Sequence, residues 1–459
     1  MLALLCLTTL IPMRAAFLAP SPIPTLPQPR PRDALCSPLS AGGEPEEVQL
    51  VVDVKGEIKN IAKEQWDGLL DDSDSPFLEW DWINCVEQSG CAEESKGWRP
   101  LHVVVTEEGD PSGSIVAAAP LYLKSHSMGE FIFDNQWAEA AYAAGINYYP
   151  KLLCAVPFTP ASGARVLVKQ SLSPERQHQV RRVVGAFLTQ LAQNSGISSV
   201  HVNFCRDEEV KALTEAKYLH RKGLQYHWMN QQRSQSNGGE SPLQAYENFD
   251  GYLADFQSKR RIKIKRERRS VYEDAGVDLV VYRGEDIPDE MFKTMFKIYL
   301  TTIDKMMWGR QYLNETFFDM LRTSFKRNLC FIVAKRDDKV IAGTFNVVKA
   351  GTFYGRYWGA FDFVKNLHFE TCYYKAIEYC IDEGLQVMEP GAGGGDFKFL
   401  RGFDPVVVNS MHYCCDRGFQ SAVDRFVKAE GREIVEAKDY LKDRSKLSAR
   451  QASAELGKD

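Results

Sequence analysis

The 459-residue sequence has no CxxC pair and no histidine–cysteine group at zinc-ligand spacing, and its eight histidines are scattered. That excludes the common structural zinc modules and predicts no structural metal. Past the first residues there is no run of about 18 uninterrupted apolar side chains, so the mature chain is expected to have no membrane span. A large excess of charge is also missing, because the formal net charge of −5 does not by itself imply a polyanionic partner. Eleven cysteines are present without forming a disulfide framework. Cys154, Cys205, Cys330, Cys372 and Cys380 sit in apolar segments, where a thiol behaves as a small core residue, so a reduced compartment is expected.

An apolar content of 44% with 25% charged residues is that of an ordinary globular chain, and the length predicts two to three domains. The front is different. Leu2 to Met13 is an apolar run of signal-peptide length, followed by Arg14-Ala15-Ala16-Phe17 and a proline-rich, acid-poor tract ending at Asp33. This pattern resembles the bipartite leaders of plastid proteins in algae with secondary plastids, with a plain secretory signal as the alternative. Residues 1–45 are expected to be a disordered targeting leader. The polar run Asn230 to Pro242 reads as a linker, dividing a lobe at 46–235 from a second at 236–446, with a frayed tail at 447–459.

The second lobe carries the densest pattern. FIVAKRDDKVIAGTFNVV reads as a hairpin, and TFYGRYWGAF is a third strand. A helix follows whose apolar face is Phe369, Cys372, Tyr373, Ala376, Ile377, Cys380 and Ile381, with Glu370, Tyr374, Glu378 and Asp382 expected opposite. LQVME is a short strand, GAGGG a loop and DFKFLRGFDPVVV an extended run. The first lobe repeats the order: LHVVVTEEGDPSGSIVAAAPLYL as a hairpin, KLLCAVPFTP as a strand, a helix capped by Ser173-Pro174-Glu175, then the strand SSVHVNFC. One topology occurs twice without residue-level identity.

Several constellations carry chemistry. Eight cations lie between Lys259 and Arg269, among them Arg260, Arg261 and Arg266, offset only by Glu267. They are either a solvated helix face or a cationic wall for a phosphate-bearing substrate or RNA. Strict alternation along the third strand places Tyr354, Arg356 and Trp358 on one face and Tyr357 on the other. Arg356, flanked by aromatics, needs an anion, either Glu389 or a ligand phosphate. In lobe one His126, Glu130, Asp134 and Trp137 follow the hairpin, either as an acceptor-binding group or as a polar surface loop. VMEPGAGGGDF looks locally like a methyltransferase cofactor loop, but the extended run after it and the short remaining chain argue against that alternative.

Three antiparallel strands, a helix and a strand in each half resemble the acyl-CoA N-acyltransferase (GNAT) fold. Segments such as SPFLEWDWINCVEQSGC, YYPKLLCAVPFTPASGARVLV, YGRYWGAF and LHFETCYYKAIEYCIDEGL are similar to the FemAB-like proteins of that superfamily, from about Ser75 to Glu430. FKFLRGF is similar to the FK..GF segment of Fem-type transferases, which move an amino acid from aminoacyl-tRNA onto a peptidoglycan precursor. The long helical arm of those enzymes is absent. The resemblance implies an α/β fold of two tandem lobes with mixed, mainly antiparallel sheets. It also implies transfer of an acyl or aminoacyl group to an amine, with acyl-CoA or aminoacyl-tRNA as co-substrate and no tightly bound cofactor. Glu389 or Glu370 would serve as base, Lys398 as the cation near the oxyanion and Tyr357 as acid. Arg356, Trp358 and Arg401 would bind donor or substrate. The rival is a non-catalytic protein that binds a glycan or RNA on the same scaffold.

Overall fold

The computed structural model describes residues 49–232, 244–305, 310–393 and 395–443. The expected leader, the linker from residue 233 onward, Gly394 and the expected frayed tail lie outside the described residues. In chain order the first-half strands are β1 (Leu50–Lys55), β2 (Trp98–Pro100), β3 (His102–Glu107), β4 (Ile115–Ala119), β5 (Leu121–Lys124), β6 (Lys151–Cys154), β7 (Leu167–Val168), β8 (Ser199–Cys205) and β9 (Leu219–Met229). The second half supplies β10 (Asp278–Arg283), β11 (Leu329–Arg336), β12 (Lys339–Lys349), β13 (Thr352–Ala360), β14 (Val387–Glu389) and β15 (Asp404–Cys414).

A small sheet has the order β1-β3-β4-β7, and the other eleven strands form one sheet, β10-β11-β12-β13-β14-β9-β15-β8-β6-β5-β2. Pro120 splits the first hairpin. It cannot donate to a ladder, so β4 stays in the small sheet while β5 crosses into the large one. Every pairing is antiparallel except β6 with β8 and β13 with β14. Each parallel pair requires a crossover, which helices supply: Pro174–Asn194 in the first half and the run from Leu367 to Asp382 in the second. Ser173 caps the first of these by accepting a hydrogen bond from the Arg176 N–H at 3.2 Å. The expected fold class, mixed and mainly antiparallel with two lobes of one order, is what the chain adopts.

Two lobes of one topology imply a sheet for each, and that is corrected: one large sheet runs through both. Strand β9, which ends the first lobe, pairs with β14 of the second, while β15 pairs with β8 of the first. The exchanged strands then pair with each other from Asp404–His227 to His412–Leu219. The exchange buries two edges that each lobe would otherwise leave open to pairing with other chains.

Two local expectations change. FKFLRGF is not extended: Gly395–Phe399 is a one-turn helix, and β15 begins only at Asp404. That strand then runs antiparallel to β9 rather than through a parallel crossover, so the methyltransferase alternative still fails. Glu370 and Tyr374, placed on the polar face of their helix, are buried. They meet the basic helix Ser258–Tyr272, which docks against that face, and Glu370–Tyr374 is wound as a π-turn there.

Candidate active site

Strands β13 and β14 pair only from Thr352–Val387 to Tyr354–Glu389 and then part. Pro390 has no N–H with which to continue the ladder, and Gly391 at φ +83° turns the chain away. Gly355 permits the close crossing, because a Cβ there would lie 3.2 Å from the Pro390 backbone. The gap is a cavity of about 250 Å³. Thr344 and Asn346 of β12 line it from one side, Arg356, Tyr357 and Trp358 of β13 from another, and His368 and Cys372 from the π-wound helix. Lys398 of the one-turn helix closes it.

Strict alternation would not let three successive residues of β13 reach one cavity. The β12–β13 register slips here: Phe345 faces Tyr357 and Asn346 faces Gly355, leaving Arg356 as the extra residue of a bulge. A bulge of this kind re-aims a side chain, and it also puts Tyr357 against the same core as Tyr354. The expected two-face pattern is corrected accordingly.

The charged groups are all under strain from burial. Lys398 is 3% exposed and donates to the Gly391 carbonyl. Burial lowers its ammonium to about 8, with little opposition. Glu389, the last residue of β14, is not among the residues that line the cavity; it is half-buried, and its Oε2 is enclosed without a hydrogen-bond partner. Burial pushes it up to about 7, against the backbone N–H of Ser162 and the charges of Arg165 and Arg356. Arg356 donates to the Phe158 carbonyl, its Nε is buried without a partner, and burial lowers its guanidinium. Burial raises the Tyr357 hydroxyl, whose ring meets Tyr299 edge-on at 4.9 Å. Burial holds the Cys372 thiol well above its ordinary range, which favours the neutral thiol.

Other candidates lie elsewhere. Glu370 does not line the cavity; its carboxylate accepts from Arg268 Nε at 3.1 Å and the Tyr272 hydroxyl at 2.9 Å. Arg401, also buried, bonds Glu267 at 3.0 Å and lies 3.6 Å over the Phe369 ring. Arg260 donates to the Leu400 carbonyl at 2.7 Å. These three contacts weld the basic helix to the back of the site. Arg266 is exposed and Arg261 half-exposed, and neither lines the cavity.

The lobe-one group is not a surface loop: Glu130, Asp134 and Trp137 are buried. Lys151 Nζ donates to Glu130 at 2.8 Å, Asp134 at 2.5 Å and Ser127 at 2.8 Å, and Tyr148 donates to Asp134 at 2.7 Å. His126 accepts from Lys124 Nζ at 3.4 Å, and Trp137 meets the His412 ring edge-on. None of the four lines the cavity. Sequence reasoning missed Thr344, Asn346, His368 and the contribution of Phe158 and Ser162. For the last two, the punctuation of PFTPASG by proline and glycine was the available signal.

A family model described as peptidoglycan biosynthesis/recognition, FemAB-like, matches residues 57–448. No curated protein matches in sequence. Among solved structures, the crystal structure of FemX is similar at 11% identity over 79% of this chain and 98% of that one, with a TM-score of 0.45. L-PGS from Bacillus licheniformis is similar at 11% identity over 76% and 95%, with a TM-score of 0.42. A tandem GNAT protein from the clavulanic acid biosynthesis pathway is similar at 11% identity over 80% and 99%, with a TM-score of 0.40.

Proposed function

The chain belongs to the FemAB-like peptidoglycan biosynthesis/recognition family, and on that footing we propose that it is an N-acyltransferase. It moves an acyl or aminoacyl group from a thioester or ester donor to an amine. One observation carries this reading: a cavity opens where the parallel pair β13–β14 ends, with the buried Lys398 ammonium in its lining and the Glu389 carboxylate at the last paired residue of β14, outside that lining; burial pushes Glu389 up to about 7 and Lys398 down to about 8. Two such groups, displaced in opposite directions by burial, suit an acid–base pair.

In the proposed reaction the acceptor nitrogen attacks the donor carbonyl and Glu389 takes the amine proton. The carbonyl oxygen becomes an oxyanion beside the Lys398 ammonium, which also supplies the proton to the departing thiolate or alkoxide. Tyr357, whose hydroxyl burial makes a weaker acid, is a lesser candidate for that proton. Glu370, tied to Arg268 and Tyr272, serves the packing of the helix.

Thermal shift with acetyl-CoA, longer acyl-CoAs and free CoA, together with thiol release in the presence of amines, tests the thioester branch. Deacylation of aminoacyl-tRNA tests the ester branch. Silence in all of these, combined with retention on a glycan or RNA column, would sink the enzyme in favour of the binding protein.

The basic helix bears on the ester branch. Lys259, Lys263, Lys265, Arg266 and Arg269 are exposed on a helix whose inward Arg260 and Arg268 fix it to the site. Replacing Lys259, Arg261, Arg266 and Arg269 together with Gln is expected to weaken tRNA binding. It should also flatten the slope of log affinity against log salt by roughly one per lost phosphate contact. Filter binding across a salt series reads it, and an unchanged slope reduces the helix to a solvated face.

A further inference from the structure

Strand β12 lies inside the large sheet, and its side chains Phe345 and Val347 are buried and apolar, as that position favours. Thr344 and Asn346 alternate with them and are each 3% exposed, yet both are polar. Both line the lobe-two cavity, where the register slip sets Asn346 opposite Gly355. A glycine there puts no side chain over the amide from β13. Burying such a pair costs stability unless each polar atom finds a partner.

The sheet satisfies one half of the Asn346 amide. Its Nδ2 donates to the Cys330 carbonyl of β11 at 3.0 Å and to Thr344 Oγ1 at 2.9 Å, with the Thr344 carbonyl at 3.5 Å. A carbonyl only accepts, so these partners fix which end of the amide is nitrogen and use both of its hydrogens. The oxygen is left over. Among the described residues no donor reaches Oδ1, and the atom is not sealed from solvent. An amide kept only to tie β11 to β12 would have its oxygen spent as well. This one holds an acceptor open toward the cavity.

We propose that Asn346 is a specificity-determining residue of the lobe-two site, its Oδ1 accepting an N–H of the substrate. That N–H belongs to the amine acceptor or to an amide of the donor, and the recognition chemistry is the same. The proposal rests on the reading of the cavity as the transfer site. Trp358, Tyr373 and Phe397 bring aromatic rings to the same cavity, so a ligand that fills it without an N–H displaces water and leaves Oδ1 unpaired. A neutral amide also suits an amine that must attack. It takes one N–H and leaves the lone pair, whereas a carboxylate in its place would favour the ammonium form.

The test uses the full chain and two neutral probes that differ by one N–H, N-methylacetamide and N,N-dimethylacetamide, with affinities read by ligand-observed NMR. The parent should prefer N-methylacetamide by about tenfold, the usual effect of leaving one buried acceptor unpaired. Asn346→Ala and Asn346→Leu should bind both probes alike, with melting temperature as the check on folding; Leu fills the volume that Ala leaves empty. A preference that survives in both folded variants overturns the proposal. Should both variants unfold, the parent still decides, since equal affinity for the two probes overturns the proposal and a tenfold preference supports it. Two further measurements separate the sources. Binding of free CoA that weakens about tenfold in the variants assigns the N–H to the donor. A KM for glycinamide that rises about tenfold in thiol release from acetyl-CoA, with CoA affinity unchanged, assigns it to the acceptor. Loss of the probe preference in variants of a parent that neither releases thiol nor deacylates aminoacyl-tRNA supports recognition by Asn346 and overturns the acyl-transfer reading instead.

Discussion

Lys151→Met is expected to cost about 3–5 kcal/mol of folding stability, the range for stripping one partner from a buried ion pair. The side chain is fully buried, and its ammonium is the common partner of Glu130 and Asp134. Methionine fills the volume but leaves two carboxylates without their cation, and one oxygen of each already lacks a partner. Total stability of domains is only about 5–15 kcal/mol, so the loss is a large fraction of it. Urea unfolding reads the effect as a lower midpoint. Lys151→Met combined with Glu130→Gln and Asp134→Asn should cost less than the three separate losses added together, because the neutral set no longer buries unpaired charge. A midpoint unchanged in Lys151→Met would show that water reaches the cluster.

That cluster marks the limit of what the sequence discloses. His126, Glu130, Asp134 and Trp137 are too polar for a connector, which the sequence shows plainly. Whether they face water or one another depends on Lys151, which sits 17 residues past Asp134 in a strand that reads as apolar. Local periodicity does better where a segment's partner is close in the chain. The hairpin of β11 and β12, the third strand β13 and the capped helix Pro174–Asn194 are all legible, because alternation and capping are local properties. The exchange of β9 with β15 is not, since both strands present the same pattern to either lobe and only the assembled sheet decides between them.

The site divides in the same way. FKFLRGF and the aromatic strand point to Lys398 and to Arg356, Tyr357 and Trp358, and all four line one cavity. Glu370, a candidate base on the polar face of its helix, is claimed instead by the neighbouring basic helix through Arg268. The bulge at Arg356 was invisible because a one-residue slip leaves no mark in composition. It reverses which side chains share a face, so the slip decides the chemistry more than any residue identity in the strand.

Glu389→Gln and Lys398→Met should each lower the rate of acyl transfer by about 10²–10⁴, the usual contribution of a positioned proton donor or acceptor. The parent should show a narrow bell in kcat/KM. Glu389 must be ionised, so activity rises as pH passes about 7; Lys398 must be protonated, so activity falls past about 8. Glu389→Gln should remove the acid limb from whatever rate remains, and Lys398→Met the alkaline one. Stability should move the opposite way. Glu389 titrates above its ordinary 4.5, so the folded state holds that proton more tightly than the unfolded chain. Its contribution is present below pH 4.5 and is lost as pH rises through 7, leaving a buried carboxylate as a burden. Lys398 titrates below its ordinary 10.5, so its buried charge is a burden under pH 8 that is relieved as pH climbs toward 10.5. Lys398→Met should therefore gain roughly 2–3 kcal/mol at pH 7, read as a higher urea midpoint. Glu389→Gln should gain at pH 8 and lose that advantage under acid conditions. A site whose removal strengthens the fold is one maintained for function rather than for packing. Loss of stability in both variants would instead place these two groups among the packing residues and remove them from the reaction.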